Sequence, residues 1–588
     1  MMGSRAAPGW AVDSIDRSWL GTRLFWQALA LFAVAFVIRA AFAAHLPPRV
    51  DELYHLLAAR SWAEDGSLRI WHGEYTRTRY FTMLIGLLFE ATGRETLFVA
   101  RLPSVLFGST LVALLFLWVR READAAAAWF AAILLALSSL SITIDQYARF
   151  YALHALLFWT ASILVYEVVS GRAGGRVVPM VGAAIALLLG AFYLQLTTLL
   201  GIAALGLWVT ATLALRPRVR RHLADRRVLI LLGIGGALAA LLIATLLREP
   251  LAQAYDRFRW APLWSAERKD DLIYYVRLLT QWMPLLWHLL PVAAVLAIVR
   301  APRAAGFCLT LALAILAIHS FGAMKKTDYV AYTMLYLFTV YGLAFTAVLP
   351  KLVGIARLAL GRLGVGERAL DQPPLRAALG MFVAGAVGFA LIGNDMIRLP
   401  LFALGGGAKA AIAGEVSSDA AWAKVVPTDN VKWDRHTARL RELAGENAVL
   451  VTTDELKALY YLGRYDILLH RSRLSEYAPD RDFARDARTG GPTIGSALAV
   501  AAVIDCWPSG LLITDRHGLN KPEYMTAEAG RLIERRLTPV PLPNNRSLLV
   551  MQWRHAAWTP GAACADVRRA VKPSTARLPS GTIHRTRG

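Results

Sequence analysis

The stretch that decides the fold is His45-Leu46-Pro47-Pro48-Arg49-Val50-Asp51-Glu52-Leu53-Tyr54-His55. The residues before it, Leu24 to Ala44, are almost entirely apolar. About twenty such residues, rising 1.5 Å each, cross a hydrocarbon layer of roughly 30 Å. Two prolines stop the helix where it leaves the membrane. Two adjacent carboxylates, Asp51 and Glu52, follow at once at the surface, where desolvation raises a carboxylate pKa and readies it for proton transfer.

Working outward, Leu53 to Ala63 has helical spacing of apolar residues with Tyr54 and Trp62, which predicts a helix lying in the interface. Gly73 to Tyr80 concentrates polar and charged groups, and Phe81 to Phe89 is too short to span, so it reads as an interfacial or re-entrant segment. Further spans are expected over 98–119, 125–144, 150–169, 177–193, 196–215, 228–247, 284–299, 305–322, 330–350 and 376–397, about eleven with the first. The chain has 588 residues and is 56% hydrophobic, too apolar for an ordinary soluble protein. Its fold class is a polytopic α-helical membrane protein. The first run is longer than a signal-peptide core of 7–15 residues and many spans follow, so it is read as a span and not as a cleaved leader.

A net charge of +22 would suggest nucleic acid in a soluble chain. Here the arginines fall in alternate loops: Arg120-Arg121, Arg172 and Arg176, Arg216 to Arg227, Arg300 and Arg303, and Lys351 to Arg376, with Arg5, Arg17 and Arg23 ahead of the first span. The positive-inside rule makes that side cytoplasmic, and no nucleic-acid partner is expected. The opposite loops carry Asp51-Glu52, Ser141 to Phe150, Tyr193 to Thr198, Arg248 to Met283 and Met324 to Tyr329. An odd number of spans puts everything after about residue 400 on that outer side too.

The transmembrane part is thus 1–399. From 400 to 564 the composition changes: strands are expected at Ala448–Thr452, Tyr465–Leu469, Leu511–Thr514 and Ser547–Trp553, with helices at Asp454–Leu462 and Tyr524–Arg536, an extracytoplasmic α/β domain. Cys506 and Cys564 fit a disulfide there or two separate buried thiols equally well. No cysteine, Cys308 included, has zinc-site spacing. Residues 565–588, basic and aperiodic, read as a disordered tail.

Three outer clusters fall on one face. The first holds Asp51, Glu52, His55, Glu74, Arg77 and Arg79. The second is Asp145-Gln146-Tyr147-Ala148-Arg149-Phe150-Tyr151. The third is Lys325-Lys326-Thr327-Asp328-Tyr329, whose lysines break the positive-inside pattern. Each has a plainer role: acidic residues at a helix start, arginine and lysine snorkelling to headgroups, Glu74 paired with Arg77 at the surface, and histidines that pack rather than bind metal. Their coincidence carries the argument. Carboxylates beside fixed cations and aromatic rings suit deprotonating a hydroxyl while holding a phosphate leaving group and a sugar.

The apolar span ending in Asp51-Glu52, the loop Gln146-Tyr147-Ala148-Arg149-Phe150-Tyr151, Arg101-Leu102-Pro103 with Gly108 in the next span, and the late Lys326 to Tyr329 together resemble the GT-C membrane glycosyltransferases. They are most similar to the glycosyltransferase family 39 group, which includes protein O-mannosyltransferases and the lipid A aminoarabinose transferase. The similarity covers roughly residues 20–350. It departs where that transferase has Glu-Lys-Pro and this chain has Gly73-Glu74-Tyr75. The resemblance implies a polyprenyl-phosphate sugar donor, an outer-face active site in the bacterial inner membrane and inversion at the anomeric carbon. Asp51 would then deprotonate an extracytoplasmic hydroxyl acceptor, a glycolipid, polysaccharide or protein, with Glu52 supporting it. Arg149 with Lys325 or Lys326 would hold the lipid phosphate, Tyr151 and Tyr329 would line the site, and Glu74, Arg77, Arg79 and Asp145 would contribute substrate contacts. The loop from Arg248 to Met283 would close over the site. No cofactor is required on this reading; a divalent cation, Mg or Mn, on Asp51 and Glu52 is the alternative. The rivals from other classes are a lipid transporter or flippase and a noncatalytic envelope assembly subunit.

Overall fold

The computed structural model describes residues 17–45, 48–215, 270–363, 372–392, 433–445, 449–478, 481–543 and 548–571, with Ala252, Tyr255 and Arg259 between 216 and 269. The apolar segments form helices α1 (Arg17–His45), α4 (Leu97–Glu122), α5 (Ala125–Leu137), α6 (Ser139–Asp145), α7 (Tyr151–Val169), α8 (Val177–Leu194) and α9 (Thr198–Ala214). They continue as α10 (Tyr274–Trp282), α11 (Pro284–Arg300), α12 (Pro302–Phe321), α13 (Met334–Arg362) and α14 (Pro373–Ile392). Between α1 and α4 lie α2 (Val50–Asp65), a hairpin of β1 (Arg69–Ile70) and β2 (Gly73–Glu74), and α3 (Arg79–Thr92).

Every span expected from the sequence overlaps a helix except 228–247, which lies outside the described residues, as do 393–397 of the last span and most of the expected closing loop. Among the described residues six helices qualify as spans by length and apolarity, or eight if α5 with α6 (bent 61°) and α10 with α11 (bent 108°) each count as one. The count of eleven is therefore not reached among the described residues, because α9 and the apolar part of α14 are shorter than a full crossing.

The α5–α6 break has a local cause. Ser138 is extended (φ −61°, ψ 119°) and its hydroxyl accepts from the Ser141 N–H, capping α6. The carbonyls this frees would be costly in a membrane without partners. Arg39 of α1, fully buried, donates to the Leu135 and Ala136 carbonyls (both 3.4 Å), to Ser141 Oγ (2.9 Å) and to Asp145 Oδ2 (2.9 and 3.0 Å).

The two ends of the bundle are chemically distinct. At the C-terminal end of α4, Arg172 pairs with Glu122, Arg121 with Glu167 and Arg300 with Asp124. These are arginines assigned above to one side. Arg101, twenty residues earlier on α4 and so roughly 30 Å away along its axis, belongs to the other end, where Asp51, Arg149 and Lys326 meet.

The helix expected to lie in the interface is instead buried on two sides. Leu56 and Ala59 of α2 join the apolar core of the bundle. Leu53, Leu57 and Ala58 join a core that belongs to the C-terminal domain. Burial of a leucine contributes roughly 1.5–3 kcal/mol, so α2 is tied to both bodies.

That domain is a seven-stranded sheet in the order β5-β6-β4-β3-β7-β9-β8. The strands are β3 (Val449–Thr452), β4 (Ile467–Leu469), β5 (Phe483–Arg485), β6 (Pro492–Ile494), β7 (Ser509–Asp515), β8 (Thr538–Pro539) and β9 (Leu548–Arg554). The four central strands run parallel, and antiparallel strands close both edges. Helices α15 (Trp433–Ala444), α16 (Arg471–Tyr477), α17 (Ala497–Cys506), α18 (Ala527–Arg536) and α19 (Cys564–Ala570) surround it. Alternation along the strands splits the core: Val449, Val451 and Leu512 face α17 and α18, whereas Leu450, Leu511 and Ile513 face α15, the helical segment 455–462 and, beyond it, α2. Cys506 and Cys564 are joined in a disulfide. The first residues of the tail expected from 565 are ordered, since α19 continues to Ala570 and Val571 is fully buried; 572–588 and the boundary near 400 lie outside the described residues.

Candidate active site

The site is built at the first turn of α2. Arg49 precedes the helix in extended conformation, and its N–H donates to Glu52 Oε2 at 2.8 Å. Arg101 Nε donates to Glu52 Oε1 (2.8 Å), Arg101 Nη2 to Oε2 (2.7 Å) and the Ala148 N–H to Oε1 (2.7 Å). Arg101 Nη1 also reaches the Ala43 carbonyl at 2.9 Å. Both side chains are fully buried. Glu52 thus welds the end of α1, the start of α2, α4 and the 146–150 loop into one rigid corner.

Asp51, one residue earlier and about 100° around the helix, faces a cleft. Its side chain is 40% exposed, Lys326 Nζ stands 3.3 Å from Oδ2 and Arg149 Nη2 4.0 Å. Arg149 also donates to the Asp51 carbonyl (2.8 Å) and to the Tyr151 hydroxyl (3.3 Å). It is nearly buried between the Phe150 and Tyr151 rings, 5.2 and 5.3 Å from their centroids. Arg77, exposed at the rim, lies 5.8 Å from the Phe150 centroid.

Burial in the cleft by itself would raise the Asp51 pKa, but Arg149, Lys326 and Arg77 outweigh it and hold the carboxyl well below the ordinary range. Lys326 is correspondingly held above its usual value: burial opposes its charge and Asp51 more than restores it. His55, buried beneath, is kept well below its ordinary value by desolvation and by Arg149 and Arg77, so it is neutral. Its Nδ1 meets Thr82 Oγ1 at 2.8 Å and its Nε2 the Tyr75 hydroxyl at 3.4 Å. Burial pushes the Tyr75 phenol up to about 12. The cleft therefore presents one carboxylate and three permanent cations over aromatic walls, an arrangement that attracts an anion and leaves a base beside it.

Of the residues singled out in the sequence, the fold gathers Asp51, Arg149, Tyr151, Lys326, Tyr329 and Arg77. Tyr329 is largely buried, with its hydroxyl turned to Met324 Sδ at 3.7 Å. Others stand elsewhere. Glu52 is consumed in the buried corner. Asp145 is consumed by Arg39 and Ser141. Lys325 is buried with Nζ on the Gly322 carbonyl at 2.8 Å, facing away from its neighbour's partner. Glu74 and Arg79 are exposed on β2 and at the start of α3, and neither has an ion pair among the described residues. Arg49 and Asp328 were not singled out as site residues. They pair at 3.8 Å, with Arg49 lying over the Tyr147 ring at 4.3 Å, and so link the start of α2 to the second and third clusters. The signal for Arg101 and Arg39 was present: a charged residue within a span faces the protein interior.

A divalent cation does not fit Asp51 and Glu52 as a pair, because both Glu52 oxygens are taken by four donors and Asp51 already faces cations. Among the described residues no group of three His, Cys, Asp or Glu is arranged to hold a metal.

No model of a protein family matches the chain, and no curated protein matches it. Solved structures do. ArnT from Cupriavidus metallidurans bound to undecaprenyl phosphate superposes with a TM-score of 0.53 at 15% identity, over 93% of this chain and 100% of that one. The apo state of the same protein gives 0.53 and 15% over 92% and 100%. This chain shares the fold of these structures, the GT-C fold. The likeness extends over helical bundle and C-terminal domain together and shows the fold alone; the chemistry rests on the cleft.

Proposed function

We propose that this protein transfers a sugar from a polyprenyl-phosphate donor to a hydroxyl of an acceptor outside the cytoplasm, with inversion. The observation that carries the reading is the half-exposed Asp51 carboxylate with Lys326 3.3 Å and Arg149 4.0 Å from one oxygen. The likeness to an undecaprenyl-phosphate-bound GT-C protein supports the class of donor.

In the free enzyme Asp51 is too well stabilised to be a strong base. A donor phosphate entering the cleft draws Arg149, Lys326 and Arg77 toward its own oxygens. The Asp51 pKa then rises toward the ordinary carboxylate value, and the carboxylate takes the proton of the acceptor hydroxyl as that oxygen attacks the anomeric carbon. The bond from the anomeric carbon to the phosphate oxygen breaks on the opposite side. The charge that develops on the departing polyprenyl phosphate is met by the same three cations, which stand in place before the reaction. Side-chain cations supply the charge, so a metal has no role in this scheme. The positive-inside rule supports a cytoplasmic arginine-rich end of the bundle, and on this reading the cleft and the C-terminal domain face outward from a bacterial inner membrane.

The test is transfer by purified protein in lipid, from radiolabelled polyprenyl-phosphate sugars to membrane-extract acceptors, with Asp51→Asn alongside. Asn keeps the size and removes the base, so transfer is lost while donor binding is retained. Equal transfer by both proteins excludes Asp51 as the base. If the wild type transfers from no donor, the enzyme reading fails and lipid translocation in proteoliposomes is the next measurement.

A further inference from the structure

The helix that carries Asp51 is held from two sides, and only one of them belongs to the membrane body. Tyr54 follows Asp51 by three residues and so shares its face of α2. Its hydroxyl receives hydrogen bonds from Arg488 Nη1 at 2.6 Å and Arg473 Nη2 at 3.4 Å, both from the C-terminal domain more than 400 residues on. The Arg488 guanidinium also lies 5.7 Å from the Tyr54 ring centroid.

These arginines do not hang from loose loops. Arg473 is ion-paired with Glu455, 2% exposed, and with Asp486 at 3.6 Å, fully buried. Asp486 Oδ2 accepts from the Thr489 N–H (3.0 Å) and hydroxyl (2.9 Å), which fixes the loop that carries Arg488. That loop docks on the first outer hairpin: the His72 N–H donates to the Thr489 carbonyl at 3.0 Å. Gly73 lies so close that a Cβ there would fall 2.2 Å from the Arg488 carbonyl oxygen. On the other side of Tyr54, the Tyr75 ring stacks at 6.3 Å and 13°, and Tyr75 reaches His55 under the cleft.

We infer that Tyr54 is a positioning residue through which the C-terminal domain, by Arg473 and Arg488, sets the orientation of the helix bearing Asp51; this rests on Asp51 being the base. The domain on this view is part of the catalytic apparatus and not a module that only recognises acceptor. A clamp of this kind acts on geometry in the transition state, where a misplacement of about 1 Å costs up to about 100-fold in rate, and leaves donor affinity alone.

Two mild variants test it in the full chain. Tyr54→Phe keeps the ring in its stack and removes the hydroxyl. Arg488→Gln removes the shorter hydrogen bond without stripping the buried Glu455 and Asp486 of their partner. For each, kcat falls about 10-fold with donor KM unchanged, and amide exchange in residues 50–57 speeds about 10-fold, while the unfolding midpoint stays near that of the wild type. Unchanged exchange in both variants overturns the inference whether or not a donor is found. An effect confined to acceptor KM overturns it in favour of acceptor recognition. Absence of transfer by the wild type counts against the proposed reaction, and exchange then decides the clamp by itself.

Discussion

Lys326 Nζ stands 3.3 Å from Asp51 Oδ2, a contact between residues 275 apart in the chain that joins the start of α2 to the loop after α12. With Arg149 and Arg77 it depresses the folded-state pKa of Asp51. The stability this pairing contributes is present above the unfolded carboxylate value of about 3.9 and is lost as pH falls through the lower folded value. The acid limb of kcat/KM, which reports the free enzyme, accordingly lies below the usual carboxylate range, and kcat/KM is flat down to about pH 4. Lys326→Gln removes one of the three cations, so it moves that limb upward and weakens donor binding. A pH–rate profile of both proteins checks this; superimposable limbs would refute the coupling.

Glu52 is adjacent to Asp51 but does a different job. Its pair with Arg101 is buried on both sides and hydrogen-bonded throughout. Removing one partner of such a pair leaves an uncompensated buried charge, typically a loss of 3–5 kcal/mol, whereas replacing both by apolar residues is close to neutral. Glu52→Gln, and separately Arg101→Leu, should therefore lower the unfolding midpoint steeply, and Glu52→Leu combined with Arg101→Leu should recover much of it. Unfolding midpoints in detergent for the singles and the double form the cycle that checks it. If Glu52→Gln keeps its midpoint and loses transfer, Glu52 is catalytic after all.

Much of this was legible in the sequence because it depends on local signals. Apolar runs of spanning length identified the helices of the bundle, and strands such as Val449–Thr452 and Ser509–Asp515 showed as short apolar runs between turns. Three outer clusters placed on one face by charge bias do meet at Asp51. What could not be read is which way each side chain turns. Asp51 and Glu52 are indistinguishable by type, and so are Lys325 and Lys326; a rotation of about 100° per helical residue, or one residue of a loop, sends one into the cleft and the other into the core. Nor does local periodicity report that α2 shares a core with a sheet 400 residues away, so a helix read as lying in the interface instead packs Leu53 and Leu57 into one core with Leu456 and Leu459. The short strands β5, β6 and β8, two or three residues each, are below what alternation can signal.

Gly108 of α4 lies against Asp145 at the end of α6. A Cβ built there would meet the Asp145 side chain at 2.4–2.6 Å, at its Cβ, Cγ and Oδ2. Oδ2 is the oxygen that binds Arg39 and Ser141, and Arg39 in turn satisfies the carbonyls of the α5–α6 break. Gly108→Ala thus pushes on the link that holds a broken helix together inside the membrane. Overpacking of this kind costs typically 1–3 kcal/mol, and the loss should appear in the unfolding midpoint with donor affinity preserved. Asp145→Asn should behave alike and more severely, since it leaves Arg39 buried without its counter-ion. Donor binding measured beside thermal unfolding separates this from a substrate contact: reduced affinity with an intact midpoint would restore Asp145 to the binding site.

The Cys506–Cys564 disulfide closes a loop of 58 residues between the end of α17 and the start of α19. Closing a loop of that length stabilises by about 4 kcal/mol on chain-entropy grounds. The Arg568 guanidinium donates twice to the Cys506 carbonyl, at 3.1 and 2.8 Å, so α19 stays partly docked when the bond is cut. Reduction or Cys564→Ser should therefore lower the stability of the C-terminal domain without releasing α19 at once. Because α2 shares that domain's core, protection of the first outer hairpin should fall with it, while the membrane helices, including buried Cys308 in α12, stay intact. Limited proteolysis with and without reductant reads both effects. Performed with a membrane-impermeant reductant on sealed vesicles of each orientation, it also reports the side: susceptibility only where the outer face is accessible puts the domain and Asp51 outside the cytoplasm, and susceptibility from the other face alone would reverse the topology.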